Sequence, residues 1–298
     1  MTKKKNAFVF DSCSGVKNGE YENVYIMPLI LTKITDGKVV EYKDGVDIEI
    51  DKLLVDMVKG EKYKTSQINI GSFIDLIEKL QESYENIYIF PIPSGLSNTY
   101  FTIKNFLDNE KETYHNVHVF DQTMVAHLLK WTILDLLDAD SKGLITKEYI
   151  EEYIRISNKN KLAFLVVPDP KYLVAGGRVS NFKGAILKLF KLKLVLSLSA
   201  NALKYYDKVV KLEKIPEVLI KGAKELAPSF SFEKIKRECI LYSPQITDPE
   251  FDIEKIKNIV VKGFCGQVPN VTPEYDQLTP IIAVHTGPNY FVIGFELK

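Results

Sequence analysis

Short apolar runs alternate with segments of helical periodicity through the first half of the chain. Ala7–Phe10, Val24–Ile30, Ile87–Ile92 and Val117–Phe120 are bounded by Asp, Ser, Gly and Pro. Runs of this kind suit strands of a parallel sheet covered on both faces. Among them lie Ile50–Val58, Phe73–Leu80, Tyr100–Leu107 and Val125–Leu137, where apolar positions recur at helical spacing. Strands alternating with helices predict βαβ units and an open, doubly wound sheet. A helical stretch, Lys147–Ile156, closes this half beyond a polar boundary at Asp140–Gly143. The texture then changes. Leu162–Val167, Leu192–Leu198, Leu203–Val210, Cys239–Tyr242, Phe264–Val268, Ile281–Val284 and Phe291–Phe295 read as strands, with helices at Leu212–Leu226 and Ile253–Val261. Short connections between strands predict a mixed or antiparallel sheet. The expectation is an α/β protein of two domains, residues 1–160 and 161–298. The first holds an open, mostly parallel sheet with helices on both faces, the second a mixed or antiparallel sheet. Neither an internal repeat nor a flexible linker stands out.

Composition narrows the function classes. Lys plus Arg and Asp plus Glu are both 39 in 298 residues, so the balanced charge argues against a nucleic-acid binder or an acidic solvating chain. Arg occurs only at 155, 178 and 237, which singles out any Arg in a loop, since its planar fork grips carboxylate or phosphate. Cys13, Cys239 and Cys265 have no paired spacing, so neither a zinc knuckle nor a disulfide framework is expected and a reducing compartment fits. The basic start is followed by too short an apolar run for a secretory leader, and no run approaches a membrane span. A cytoplasmic protein without an integral membrane segment is the expectation.

Five segments place small polar residues directly after an apolar run. They are Asp11-Ser12-Cys13-Ser14-Gly15, Lys64-Thr65-Ser66-Gln67, Ser94-Gly95-Leu96-Ser97-Asn98-Thr99, Gly176-Gly177-Arg178-Val179-Ser180 and His285-Thr286-Gly287-Pro288. In open α/β sheets ligands sit at the carboxyl ends of the strands. Ser94 to Thr99 spans the end of one run and the start of a helix, where free amides and hydroxyls form an anion cradle; Gly95 permits close approach. Simple helix capping is the competing reading. Of the histidines, His115 and His118 flank a strand start as surface residues, His127 packs within a helix, and His285 ends an apolar strand beside a turn. Arg178 either grips an anion or follows a glycine cap on a short helix, Lys171–Ala175. No dinucleotide or NTP fingerprint and no metal-ligand spacing occurs, so no cofactor or metal is expected. A serine esterase built on Ser94 and His285 lacks the small residues its elbow requires, because Ile92 and Leu96 stand there. An anion-binding regulatory module is a further alternative.

Taken in order, the five segments resemble the DegV family of bacterial fatty-acid-binding proteins, over essentially the whole chain. The resemblance implies a two-domain α/β fold with a long-chain fatty acid buried between the domains. It implies a carboxylate held by Thr65 and Ser94, with His285 nearby; Gly95, Ser97, Thr286 and Arg178 complete the expected lipid-binding set. It also implies a substrate-presenting protein rather than an enzyme, serving a fatty-acid kinase related to dihydroxyacetone kinases that makes an acyl phosphate for phospholipid synthesis. Departures are Pro93 where relatives often have Ser, Asn98 and Asn289 where they have Gly, and Val210 at the family's basic position beside Lys211.

A lipid ligand sets a physical requirement. Burying a sixteen-carbon tail yields about 12 kcal/mol at roughly 0.8 kcal/mol per methylene, against an association cost on the order of 4–15 kcal/mol. Hydroxyl contacts add only ~1–3 kcal/mol and mainly orient the acid. A long apolar tunnel with one polar end is therefore required. Candidate walls are Ile26–Leu31, Phe164–Val167, Ala185–Phe190 and Ile281–Val284.

Overall fold

The computed structural model describes residues 3–35, 38–178, 192–199, 201–243 and 251–298. The strands, in chain order, are β1 (Lys4–Asp11), β2 (Val24–Met27), β3 (Ile30–Thr35), β4 (Lys38–Lys43), β5 (Lys62–Ser66), β6 (Tyr84–Phe90), β7 (Val117–Val119), β8 (Lys161–Val167), β9 (Lys193–Ser199), β10 (Ala202–Val209), β11 (Ile235–Tyr242), β12 (Glu274–Asp276) and β13 (Phe291–Leu297). The helices are α1 (Ile50–Val58), α2 (Ile70–Ser83), α3 (Thr99–Asn109), α4 (Ala126–Ser141), α5 (Lys147–Asn160), α6 (Lys171–Gly176), α7 (Ile215–Leu226), α8 (Ile253–Gly263) and α9 (Pro280–Thr286).

β2, β1, β6 and β7 form a four-stranded sheet in that order, every pair parallel. From β1 the order runs outward in both directions, so the switch point lies between β1 and β6, where the loops after those strands meet. A six-stranded sheet, β10-β9-β8-β13-β11-β12, is antiparallel except for the last pair. The α/β architecture with one parallel and one mixed sheet is as the sequence pattern predicts. β9 and β10, both read as strands in the sequence, pair antiparallel as a hairpin.

A third sheet, β4-β3-β5, was not foreseen. Val24–Ile30 is not one strand: Pro28 interrupts it and the chain leaves β2 to begin β3 in another sheet. Proline lacks the amide a central strand needs. β4 and β5 are half-exposed edge strands rich in Lys and Tyr, so they carry little apolar signal.

Two other expectations are corrected. Ile281–Val284 belongs to helix α9, not to a strand. Pro280 opens that helix and Thr279 precedes it with extended backbone, a geometry Pro favours at the first helical turn. Phe264–Val268 forms a 3-10 turn over Cys265–Gln267 after α8. Both apolar runs are too short for periodicity to separate helix from strand.

Strand alternation explains how the layers join. On β8, Leu162, Phe164 and Val166 belong to a core with α7 and α8 residues such as Leu219 and Ile256. Ala163, Leu165 and Val167 belong to a second core shared with the first half of the chain, including Phe10, Ile92 and Leu128. The six-stranded sheet thus has apolar side chains on both faces. α5 runs straight into β8: Lys161 is 2% exposed, and its ammonium donates to Thr132 (2.8 Å) and Tyr153 (3.2 Å).

Candidate functional site

The chain turns sharply after β1 and again after β6. Asp11 ends β1 and its side chain accepts from the Cys13 amide, starting a 3-10 turn that Gly15 closes in the left-handed region. After β6 the segment Pro91–Asn98 crosses to α3, and Leu96 and Ser97 donate their amides to the Pro93 carbonyl. These are the loops at the switch point. Opposite them stand the inner face of the six-stranded sheet and α9.

Between these layers lies an apolar cavity. Leu29, Ile92, Leu96 and Leu128 line it from the first half, and Ala163, Leu165, Leu198, Leu241 and Val292 from the second. Its volume is about 120 Å³, against roughly 10–15 Å³ for a single water. That is far beyond a packing defect. One end is polar: Thr65, Ser66, Gln67, Ser97, Arg178, His285 and Thr286 border it. An open cleft of about 960 Å³ adjoins this end, edged by Lys62, Lys64 and Lys171. Thr65, Arg178, His285 and Thr286 border both spaces. They form the partition between an apolar interior and solvent.

At the partition Thr65 Oγ1 and His285 Nε2 are 2.8 Å apart. Thr65 arrives from the end of β5, in a strand rather than the loop expected, with Leu31 of β3 opposite it. His285 arrives from the last turn of α9 and not from a strand end. Among the described residues its buried Nδ1 has no partner, and it lies against Gly176, where a Cβ would collide with it. Burial, helped by the Arg178 charge, lowers the imidazole to about 4, so His285 is neutral at physiological pH. An orphaned nitrogen is less costly as an acceptor than as an N–H donor, since orphaned donors are the rarer case; His285 therefore donates from Nε2 to Thr65. The Thr65 hydroxyl proton is left free for another acceptor. Arg178 follows α6, whose C-cap Gly177 is left-handed at φ 68°, and its guanidinium donates to the Gly176 carbonyl. Glycine adopts that region without strain.

Ser94 and Gly95 are not among the residues bordering the cavity. The Ser94 hydroxyl donates to Asp121 Oδ2 at 2.5 Å and its amide to Oδ1 at 2.9 Å. Asp121 Oδ2 also accepts from Asn201 Nδ2 at 2.8 Å. Gly95 faces the tip of the β9–β10 hairpin, and a Cβ there would overlap the Asn201 carbonyl oxygen. These residues join the loop after β6 to the second half of the chain. Ser97 borders the cavity and shares a hydrogen bond with Thr99 at 2.9 Å. Thr286 is buried at the partition. With the Ser94 proton directed to Asp121 and His285 bonded to Thr65, a serine–histidine nucleophile pair is not assembled.

Of the candidate walls, Leu29, Phe164, Leu165, Ile281 and Ile282 border the cavity. Ala185–Phe190, like Val179 and Ser180, lies outside the described residues. Val210 is 66% exposed beyond β10. His115 is exposed, while His118 is half-buried and stacks on Tyr88 at 5.7 Å between centroids. His127 does more than pack: Asp276 (2.8 Å) and Glu274 (2.9 Å) hold its two nitrogens. Asp121 escaped the sequence reading, although it directly follows the apolar run Val117–Phe120, as Asp11 follows its own run. Among the described residues no cluster suited to a metal ion occurs, and no helix is long and apolar enough to cross a membrane.

A family model described as "Uncharacterised protein, DegV family" matches residues 5–298. A DegV domain-containing protein of Mycoplasma genitalium is 27% identical over 299 residues, covering 98% of this chain and 99% of the relative. One from Staphylococcus aureus N315 is 29% identical over 285 residues, 95% of each. Among solved structures, a stearic acid-binding protein of Eubacterium ventriosum superposes with a TM-score of 0.80 at 21% identity, covering 98% of both chains. DegV of Bacillus subtilis, described as a fatty acid binding protein, gives 0.78 at 20% identity over 99% of this chain and 100% of that one. Matched from end to end by the family model and sharing its fold, the chain belongs to the DegV family.

Proposed function

We propose that this chain binds a long-chain fatty acid, with the tail in the apolar cavity and the carboxylate at the Thr65–His285 partition. The observation that carries the reading is that Thr65, Arg178, His285 and Thr286 border both the apolar cavity and the open cleft. A molecule laid across that border has a dry tail and a solvated headgroup, which is the distribution a fatty acid requires. Thr65 donates its free proton to a carboxylate oxygen, oriented by the His285 N–H, and Arg178 supplies the compensating charge. Ser94 joins the headgroup only by exchanging Asp121 for the ligand. Ser97 and Thr286 lie at the same end, and Gly95 admits the hairpin tip beside it. Family relatives of the same fold described as binding stearic acid and other fatty acids support the assignment.

The chain itself is a carrier in this reading and not an enzyme. It presents the acid to a fatty-acid kinase of the dihydroxyacetone-kinase type, which phosphorylates the carboxylate exposed in the cleft. The protein purified from a bacterial host is expected to carry a fatty acid, identified by organic extraction and mass spectrometry. Repeated absence of lipid, with no uptake of added palmitate or oleate, would overturn the binding reading. The kinase step is tested by mixing loaded protein, ATP and such a kinase, and trapping acyl phosphate with hydroxylamine; no hydroxamate would remove that step alone.

A further inference from the structure

The segment Asp11–Gly15 is one of the five sequence motifs, yet none of its residues borders the cavity. It contributes buried acid instead. Asp11 is fully buried; its Oδ2 accepts the Ile92 amide at 2.5 Å and its Oδ1 the Cys13 amide at 3.0 Å. Asp44, 1% exposed, accepts the Ile281 amide through Oδ1 at 3.1 Å, and the neighbouring Ser12 Oγ accepts the Leu29 amide at 3.0 Å. Ile92 and Ile281 both line the cavity. The first leads into the Ser94–Ser97 loop, and the second opens the helix that ends in His285. Each carboxyl therefore fixes the backbone of one wall, and the walls meet at the polar end.

The pair is electrostatically uncompensated. Asp44 feels the charges of Asp11 and Glu49, and Cys13 packs beside both acids as a neutral thiol whose ionisation burial disfavours. Among the described residues neither acid forms a salt bridge. Asp44 Oδ2 and the Thr279 hydroxyl oxygen, at the start of α9, are buried and have no partner among the described residues.

We propose that Asp11 and Asp44 are paired positioning residues for lipid binding that anchor the Ile92 and Ile281 amides, and that burying their negative charge loosens the closed arrangement, so uptake of a proton favours closure although each amide bond to a neutral carboxyl is the weaker one. Desolvation, the largest cause in each case, raises Asp11 to about 6 and Asp44 to about 7. A carboxyl raised by folding makes the closed arrangement most favourable below the titration and less so as pH rises through it. Opening the α9 anchor hydrates Asp44, so opening is easier when Asp44 is ionised. The proposal rests on the fatty-acid reading for its functional meaning, but its mechanics are tested without lipid.

Hydrogen exchange on the lipid-free protein gives the first arm. Protection factors at Ile281–Thr286 are expected to rise about tenfold from pH 8 to pH 6 in the wild-type chain. In Asp44→Asn, which keeps the acceptor but loses the charge, they should be high and flat across that range. In Asp44→Ala they should fall at least tenfold at pH 6. Flat protection in the wild type, or an unchanged profile in Asp44→Asn, overturns the proposal even if the Ala variant does not fold. The second arm measures palmitate affinity at pH 6 and pH 8 for wild type and Asp44→Asn. A pH-dependent ratio that Asn abolishes supports the positioning role, and an identical ratio in both sinks it. Absence of palmitate binding by the wild type at either pH would refute the fatty-acid reading and leave the exchange arm to decide this one.

Discussion

At the scale of single residues, the polar end is decided by where three protons go. The Ser94 proton goes to Asp121, Thr65 and His285 Nε2 share a hydrogen bond, and in the proposed reading His285 donates it so that the Thr65 proton is left for the carboxylate. Thr65→Val should weaken fatty-acid binding by about 1–3 kcal/mol with little change in fold. Ser94→Ala should cost less in an equilibrium titration, because its hydroxyl is already committed. An equal loss at both positions would mean that Ser94 leaves Asp121 on binding. His285 gives a pH signature. Its folded value is lowered from 6.5 to about 4 by burial and the Arg178 charge. The stability it contributes is present above the unfolded value and is lost as pH falls through the folded one. His285→Gln should therefore lose less thermal stability than wild type between pH 6.5 and 4.5, a difference on the order of 2–3 kcal/mol. A wild-type acid response unaltered by this change would mean the ring is hydrated. Residues of this kind were partly legible beforehand. Thr65, His285 and Arg178 stood in recognisable segments, whereas Asp121, Asp44 and Asn201 act through contacts across 27, 237 and 80 residues of sequence. Nothing local marks such partners.

At the scale of elements, periodicity found what was long or fully buried and missed what was short or half-exposed. α1, β1, β6 and β7 appear where the apolar pattern puts them, allowing for frayed ends, while β2 takes only the first part of its run, before Pro28. The β3–β5 sheet, which delivers Thr65, carries Lys and Tyr on its edges and looked like loop. α9, which delivers His285, has only seven residues and looked like strand. Both carriers of the central hydrogen bond were therefore misread, although the residues themselves were singled out. Two joints between elements invite tests. Gly95→Val should push the β9–β10 hairpin off the loop after β6 and destabilise the protein by about 1–3 kcal/mol in denaturant unfolding. Full stability would show that the hairpin tip moves freely. His127 ties α4 to β12 through two carboxylates. Burial opposes its charge, but Asp276 and Glu274 raise it above the usual imidazole range. Its contribution is complete below the unfolded value and fades as pH rises through the raised one. His127→Phe should cost ~1 kcal/mol at pH 6, modest because both carboxylates are half exposed, and less at pH 8.5. A cost that does not change with pH would leave packing against Trp131 as the whole effect.

For the whole molecule, the legible part was the class of architecture and the order of the five segments; the illegible part was depth. Tunnel length depends on side chains from both halves meeting, and sequence spacing says nothing of that. Ala163 and Leu165 from β8 and Leu128 from α4 border the cavity together. Leu128→Trp should fill part of it and shift preference from eighteen-carbon toward fourteen-carbon acids by about tenfold, measured in competition. An unshifted preference would place the end of the tail elsewhere.

The two-sidedness of β8 has a consequence for how such a protein diversifies. Leu162 and Val166 belong to the helix-side core of the second half, Ala163 and Leu165 border the cavity from the other side, and Phe164 of the helix-side set also reaches the cavity. Substitutions at Ala163 and Leu165 are thus separated from Leu162 and Val166 by the thickness of a peptide plane, and Phe164 alone of the set couples the two sides. In the proposed reading, Ala163 and Leu165 can resize the cavity while Leu162 and Val166 keep the scaffold rigid, so a change in the acid preferred is reachable without rebuilding the fold.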